Sequence, residues 1–235
     1  RLDPAPEGEA GAATPEAAAL SRPSAAREPL RYRKLSASEL AGEAAPERHA
    51  AGFEPSLEAR VRGTLVHRLL ERAAAGVALP PEASVAAALA SEGTPPERAK
   101  DLAAELLAEV RAALAAPLLA AGMSAARHFA ELALEALADA PPGPERALDV
   151  GIIDLLFEDG GLWWVVDYKT TRPEPGKTEA EFTNEFLAEF LAAQRDKYRP
   201  QMETYRRLVA GWQKVAPENV RAVLYFTALR QAIEI

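Results

Sequence analysis

The chain has no cysteine. That excludes disulfides, thiolate zinc sites, a cysteine nucleophile and an iron–sulfur cluster. It has no run of 18 apolar residues, so neither a transmembrane helix nor a membrane partner is expected. The first 20 residues lack the apolar core of a signal peptide, and nothing marks the chain for secretion. Positive charge is in deficit: 27 Lys and Arg face 35 Asp and Glu, for a net −8. A uniformly basic nucleic-acid coat is thereby excluded, whereas a local basic groove is not. Large apolar side chains are scarcer than the 49% hydrophobic content implies, because 52 residues are alanine. What remains is a chain of 235 residues. At about 150 residues per domain this is one sizeable domain with extra segments, and it can bury a core without staples.

Residues 1–34 read as a poorly ordered linker. Sixteen of the first 30 are Ala, Pro or Gly, with no period, and such a segment cannot offset its ordering entropy by burial. A Pro/Ala tether that starts at Arg1 rather than Met predicts a domain belonging to a longer polypeptide. Order is expected from Leu35, giving one domain over 35–235. Ser36 or Ser38 can cap a short helix. A helix follows over Ser56–Ala75, its apolar positions Leu57, Val61, Leu65 and Leu69 on one face and Gly76 closing it. Alanine-rich helices follow over 82–91 and 96–115, punctuated by prolines that include Pro117. Residues 127–136 fit strand or helix and are read as strand because a hairpin follows. That hairpin is Leu148–Phe157 and Leu162–Tyr168 around Glu158-Asp159-Gly160-Gly161. A helix over 179–213, broken near Pro200, precedes a strand over Val220–Phe226 and another over 230–235. Both faces of the hairpin strands are apolar, so both need cover. The prediction is an α/β domain, a central mixed sheet flanked by helices, with an N-terminal helical part.

The hairpin carries the chemistry. With Gly160-Gly161 as the two-residue turn, Asp154 faces Asp167 across the strands, with Cβ atoms about 5 Å apart; with Asp159-Gly160 as the turn, Asp154 faces Val165 and Asp167 is its diagonal neighbour on the same face. Lys169 shares their face. Two carboxylates at that spacing repel by about 3 kcal/mol at an effective dielectric constant of about 20. A divalent cation reverses the sign, since hard cations take a few carboxylate oxygens plus water. A neighbouring lysine can then polarise water or stabilise charge on a phosphate. The residues alone also allow the plainer reading, two strand-end acids with one bridged to Lys169.

The segments Gly151-Ile152-Ile153-Asp154 and Val165-Val166-Asp167-Tyr168-Lys169-Thr170 resemble the core of the PD-(D/E)xK nucleases, specifically the RecB/AddA-type nuclease domain of helicase–nucleases. Gly63-Thr64-Leu65-Val66-His67 resembles the family's Gly-x-x-x-His helix. Gln201-Met202-Glu203-Thr204-Tyr205 resembles its Gln-x-x-x-Tyr motif, and Leu35–Leu40 its opening Ser-x-Ser-x-Leu segment. Order and spacing agree over about 35–235.

The resemblance implies a restriction-endonuclease-like fold and a Mg²⁺-dependent deoxyribonuclease, with Mn²⁺ as a substitute. It makes His67, Asp154, Asp167 and the carbonyl of Tyr168 the metal ligands, and Lys169 the residue that activates water. Gln201 and Tyr205 would line the site or hold the DNA. Glu131 matches an acidic position of these enzymes, with Glu135 as its competitor. The implied partners are DNA as a single strand or duplex end, a helicase domain on the same parent polypeptide, and an AddB-like subunit. The implied setting is double-strand break repair in the bacterial cytoplasm. Relatives with an iron–sulfur cluster use four cysteines, which this chain lacks. Ile153 replaces the motif's proline.

Residues 60–72 hold four arginines against one glutamate; residues 195–207 hold five basic residues against two acidic. The two stretches bracket His67 and the Gln201/Tyr205 pair, and suit tracking along phosphates. Gly176-Lys177-Thr178 imitates the end of a P-loop, but Thr171 stands where its first glycine belongs.

Overall fold

The computed structural model describes residues 31–36, 57–137, 145–173 and 182–235. Strand β1 is Arg31–Ser36. Four helices follow: α1 (Leu57–Ala74), α2 (Glu82–Ser91), α3 (Pro96–Leu114) and α4 (Pro117–Ser124). Then come β2 (His128–Leu137), β3 (Glu145–Asp159), β4 (Leu162–Lys169), α5 (Asn184–Gln213), β5 (Val220–Phe226) and β6 (Gln231–Glu234).

These strands form one mixed sheet. β2 lies antiparallel along one edge of β3. The other edge is shared: β1 pairs parallel with residues 145–150, and β4 pairs antiparallel with Leu155–Asp159. β5 continues parallel to β4, and β6 closes antiparallel to β5. Gly160 and Gly161, both at positive φ, make the β3–β4 turn, which is why β-branched or bulky residues are excluded there. Asp159 faces Leu162 and Leu155 faces Val166, one of the two registers open in the sequence.

The sheet is apolar on both sides, as the strand composition requires. On one face Leu155, Phe157, Val166 and Tyr168 pack with residues of α1–α4, among them Val66, Leu70, Leu106 and Leu119. On the other, Ile153, Leu156, Trp163, Val165 and Leu224 pack against Met202, Tyr205 and Val209 of α5. The expected restriction-endonuclease-like α/β arrangement is therefore present, with its helical part on the N-terminal side of the chain.

Several elements differ from the sequence reading. β1 starts at Arg31, before the expected onset at Leu35, and Ser36 ends this strand instead of capping a helix. The rest of that expected helix, the first 30 residues and the Gly176-Lys177-Thr178 segment lie outside the described residues. Pro117 does not merely interrupt: it opens α4 at the first helical position, where a missing N–H costs nothing. Gly122 of α4 presses on Phe157, whose ring an added Cβ would meet at 2.8 Å. α5 runs through Pro200 without a break. Thr183 caps its start, accepting from the Phe186 amide at 3.2 Å, and Lys214 in the left-handed conformation ends it.

Candidate active site

The site lies where β3 and β4 part. The β3–β4 ladder ends at Leu155–Val166, one rung short of Asp154 and Asp167. Asp154 is skipped in the β2 ladder too: Ala130 pairs with Leu155 and Leu132 with Ile153, so Glu131 and Asp154 face each other unpaired. Glu131 sits at φ 49°, in the left-handed region, a conformation that costs a side-chain-bearing residue of order 1 kcal/mol and accumulates at functional sites. The break turns the Asp154 carboxylate into the fork. There its Oδ2 accepts from the Tyr168 amide at 2.6 Å and its Oδ1 lies 3.1 Å from His67 Nδ1. Of the two registers open in the sequence, the one with Gly160-Gly161 as the turn places the two aspartates directly opposite. The register leads to that pair, but the ladder stops before it because Tyr168 donates to the Asp154 side chain.

The fork brings two groups together. In the first, each of His67, Glu131 and Asp154 offers a ligand atom, and these atoms lie within 4.8 Å of one another. Gly63, Thr64, Arg68 and Glu71 complete a cavity around them of about 480 Å³. Two carboxylates and an imidazole are a donor set suited to a divalent cation. Gly63 sets the helix in place: an added Cβ would stand 3.1 Å from Thr170 Oγ1, so α1 crosses close over the end of β4. Glu135, the competitor of Glu131, is exposed and pairs with Val150 further along β2.

In the second group, Lys169 Nζ is 2.9 Å from Asp167 Oδ2, with both side chains under a tenth exposed. Gln201 binds Asp167 Oδ1 through Nε2 at 3.3 Å and accepts from Lys169 at 3.5 Å. Its Nε2 also donates to the Tyr205 hydroxyl at 3.0 Å. Gln201 and Tyr205 are both buried, which fits lining the site. The sequence reading missed Tyr198, whose ring centroid is 3.8 Å from Lys169 Nζ, within cation–π reach. Its signal was available: Tyr198, Gln201 and Tyr205 follow i, i+3, i+7 spacing on one helix face. Gly151 admits Tyr205, since an added Cβ would lie 2.5 Å from the ring.

The electrostatics follow from this crowding. Burial disfavours the charged form of His67, but its hydrogen bond to Asp154 and the fields of Asp154, Asp167 and Glu131 outweigh it and hold the imidazole above its ordinary value of 6.5. Glu131 is raised by partial burial and by Asp154 beside it. Burial also raises the Tyr205 phenol, with the Asp167 charge adding to it. For the metal-free protein the sign is definite. The protonated His67–Asp154 contact contributes stability fully below about pH 6.5 and loses it as pH rises through the raised folded value. The unfolding midpoint of the wild type should exceed that of His67→Gln at low pH, and the gap should close as pH rises. A constant gap across the titration would contradict the assignment.

Of the two basic stretches, part is spent internally. Arg62 is paired with Glu109 and Arg207 with Asp149. Arg68 lines the cavity beside His67.

The chain matches the profile of the PD-(D/E)XK nuclease superfamily over residues 26–233. It belongs to that superfamily, and with it to the nuclease-type hydrolases. No curated protein matches it. Among the described residues no single helix is long and apolar enough to cross a membrane.

Proposed function

We propose that the protein is a Mg²⁺-dependent deoxyribonuclease, with Mn²⁺ able to substitute. The observation that carries this reading is the cluster of His67, Glu131 and Asp154 within 4.8 Å, beside the buried Asp167–Lys169 pair. His67, Glu131 and Asp154 would hold the cation, and by the resemblance Asp167 and the Tyr168 carbonyl would add oxygen donors. The bound cation supplies a lowered pKa for water and neutralises charge developing on the phosphate. Tyr168 fixes Asp154 by its amide, so the carboxylate cannot swing out of the fork. Gln201 holds Asp167 and Lys169 in one arrangement, and Lys169 orients the water that attacks phosphorus. His67 must be neutral to serve as a ligand, so metal binding weakens as pH falls through its raised value.

Within the superfamily we assign the chain to the RecB/AddA type. The support is that Gly63-x-x-x-His67 and Gln201-x-x-x-Tyr205 both converge on the fork. By that resemblance it is an exonuclease module attached to a helicase on the same polypeptide. It would work with an AddB-like subunit on single strands or duplex ends during double-strand break repair in the bacterial cytoplasm.

The rival reading is a DNA-binding module that has lost catalysis. Asp167→Asn separates the two. The nuclease reading expects cleavage of single-stranded DNA to fall at least about a hundredfold, as each tenfold is only 1.36 kcal/mol of transition-state stabilisation, while DNA affinity stays within about twofold. Equal, metal-independent behaviour of mutant and wild type would support the rival.

A further inference from the structure

A second buried polar cluster lies behind the fork, outside the ligand set. Its centre is Glu109 on α3, with a side chain 7% exposed. One carboxylate oxygen takes the guanidinium of Arg62 and, at 3.3 Å, that of Arg172. The other accepts from Thr227 Oγ1 at 2.5 Å. Thr227 is fully buried, and its amide donates to the Lys169 carbonyl at 3.0 Å. Arg62 donates in addition to the Thr170 carbonyl at 3.3 Å. One carboxylate therefore joins three elements: α1, the end of β4 and the residue after β5.

This is an expensive way to fill space. Desolvation, with Arg172 adding to it, brings Arg62 down to about 10. Neighbours of Glu109 on α3 (Leu106, Leu107, Val110 and Ala113) are buried apolar residues. Apolar side chains of similar volume often replace buried ion pairs without loss of stability, so packing alone does not account for a glutamate here. What charge-assisted bonds add is direction and distance. Glu109 reaches the backbone of Lys169 through Thr227 and that of Thr170 through Arg62, and Arg62 lies on the same helix as His67.

We infer that Glu109 is a positioning residue. It sets the strand end that carries Lys169 against the helix that carries His67, and so fixes the spacing between the two halves of the site. The inference rests on the nuclease reading above.

The test uses Thr227→Val, Thr227→Ser and Glu109→Gln in the full chain. For each, the unfolding midpoint, kcat and KM on single-stranded DNA with Mg²⁺, and Mn²⁺ affinity by calorimetry without DNA are measured. Loss of groups that orient a metal site typically costs about 10–100-fold in metal affinity or activity. Thr227→Val and Glu109→Gln should therefore lose about tenfold or more in kcat and bind Mn²⁺ more weakly, with KM for DNA within about twofold. Thr227→Ser, which keeps the hydroxyl, should restore both. Wild-type kcat and Mn²⁺ affinity in Thr227→Val, with only a lowered midpoint, would overturn the inference, and that variant decides alone if Glu109→Gln does not fold. If the wild type binds Mn²⁺ without cleaving, the nuclease reading fails and the Mn²⁺ affinities still decide the positioning role. If it neither binds nor cleaves, both fall.

Discussion

Asp154→Asn should reduce cleavage by roughly a thousandfold or more while leaving the chain folded. The change keeps the volume of the side chain and can keep the bond from the Tyr168 amide, which reaches Oδ2 at 2.6 Å. It removes the charge that faces His67 and Glu131 in the cluster. Lewis-acid stabilisation by a bound cation is worth several kcal/mol, and about 4 kcal/mol corresponds to a thousandfold in rate. Calorimetry with Mn²⁺ should show the loss directly. The midpoint of unfolding should change little near neutral pH, because relief of the Asp154–Glu131 repulsion offsets loss of the contact with His67. An Asp154→Asn protein that cleaves at more than about a tenth of the wild-type rate would place the metal elsewhere.

Gly151→Ala should be the most damaging single methyl group in the sheet. The new Cβ would stand 2.5 and 2.8 Å from two ring carbons of Tyr205 and 3.1 Å from Leu208. Tyr205 is 2% exposed and packs among Met202, Leu208 and Val209 in the core on that face. Overpacking of this kind costs about 1–3 kcal/mol. The ring also carries the hydroxyl bound by Gln201, which in turn holds Asp167, so the cost spreads into the site. Denaturant titration should show the destabilisation, and cleavage should fall about tenfold or more even where the protein is folded. Tyr205→Leu should be costly in its own right, because it opens a cavity, but the double variant should lose less than the sum of the two changes, since they share one contact. Additive losses would show that the ring is not what Gly151 accommodates.

The two predictions mark what could be read from the residues and what could not. The hairpin was legible because turn glycines and period-two burial act locally; they left two registers, and the structure has the one with Gly160-Gly161 as the turn. The helices over 82–91 and 96–114 were legible from prolines and alanine content. The interruption at Asp154 was not, because it depends on Glu131 from another strand and on the Tyr168 amide. β1 was hidden by its charged sequence, Arg31-Tyr32-Arg33-Lys34, which shows no alternation; its pairing with β3 comes from a partner more than a hundred residues away. The candidate site residues were singled out through motifs whose members are near one another in sequence. Tyr198 had helical spacing to announce it. Glu109 had none: an acidic residue on an alanine-rich helix looks solvated until Arg62, Arg172 and Thr227 are folded onto it.

Incubation of end-labelled linear single-stranded DNA with the purified chain, in Mg²⁺ and in excess EDTA, tests the central claim. The account predicts degradation in Mg²⁺ and none in EDTA, with recovery when Mg²⁺ or Mn²⁺ is restored. Degradation that continues in EDTA would contradict it, since the proposed reaction depends on a cation held at the fork.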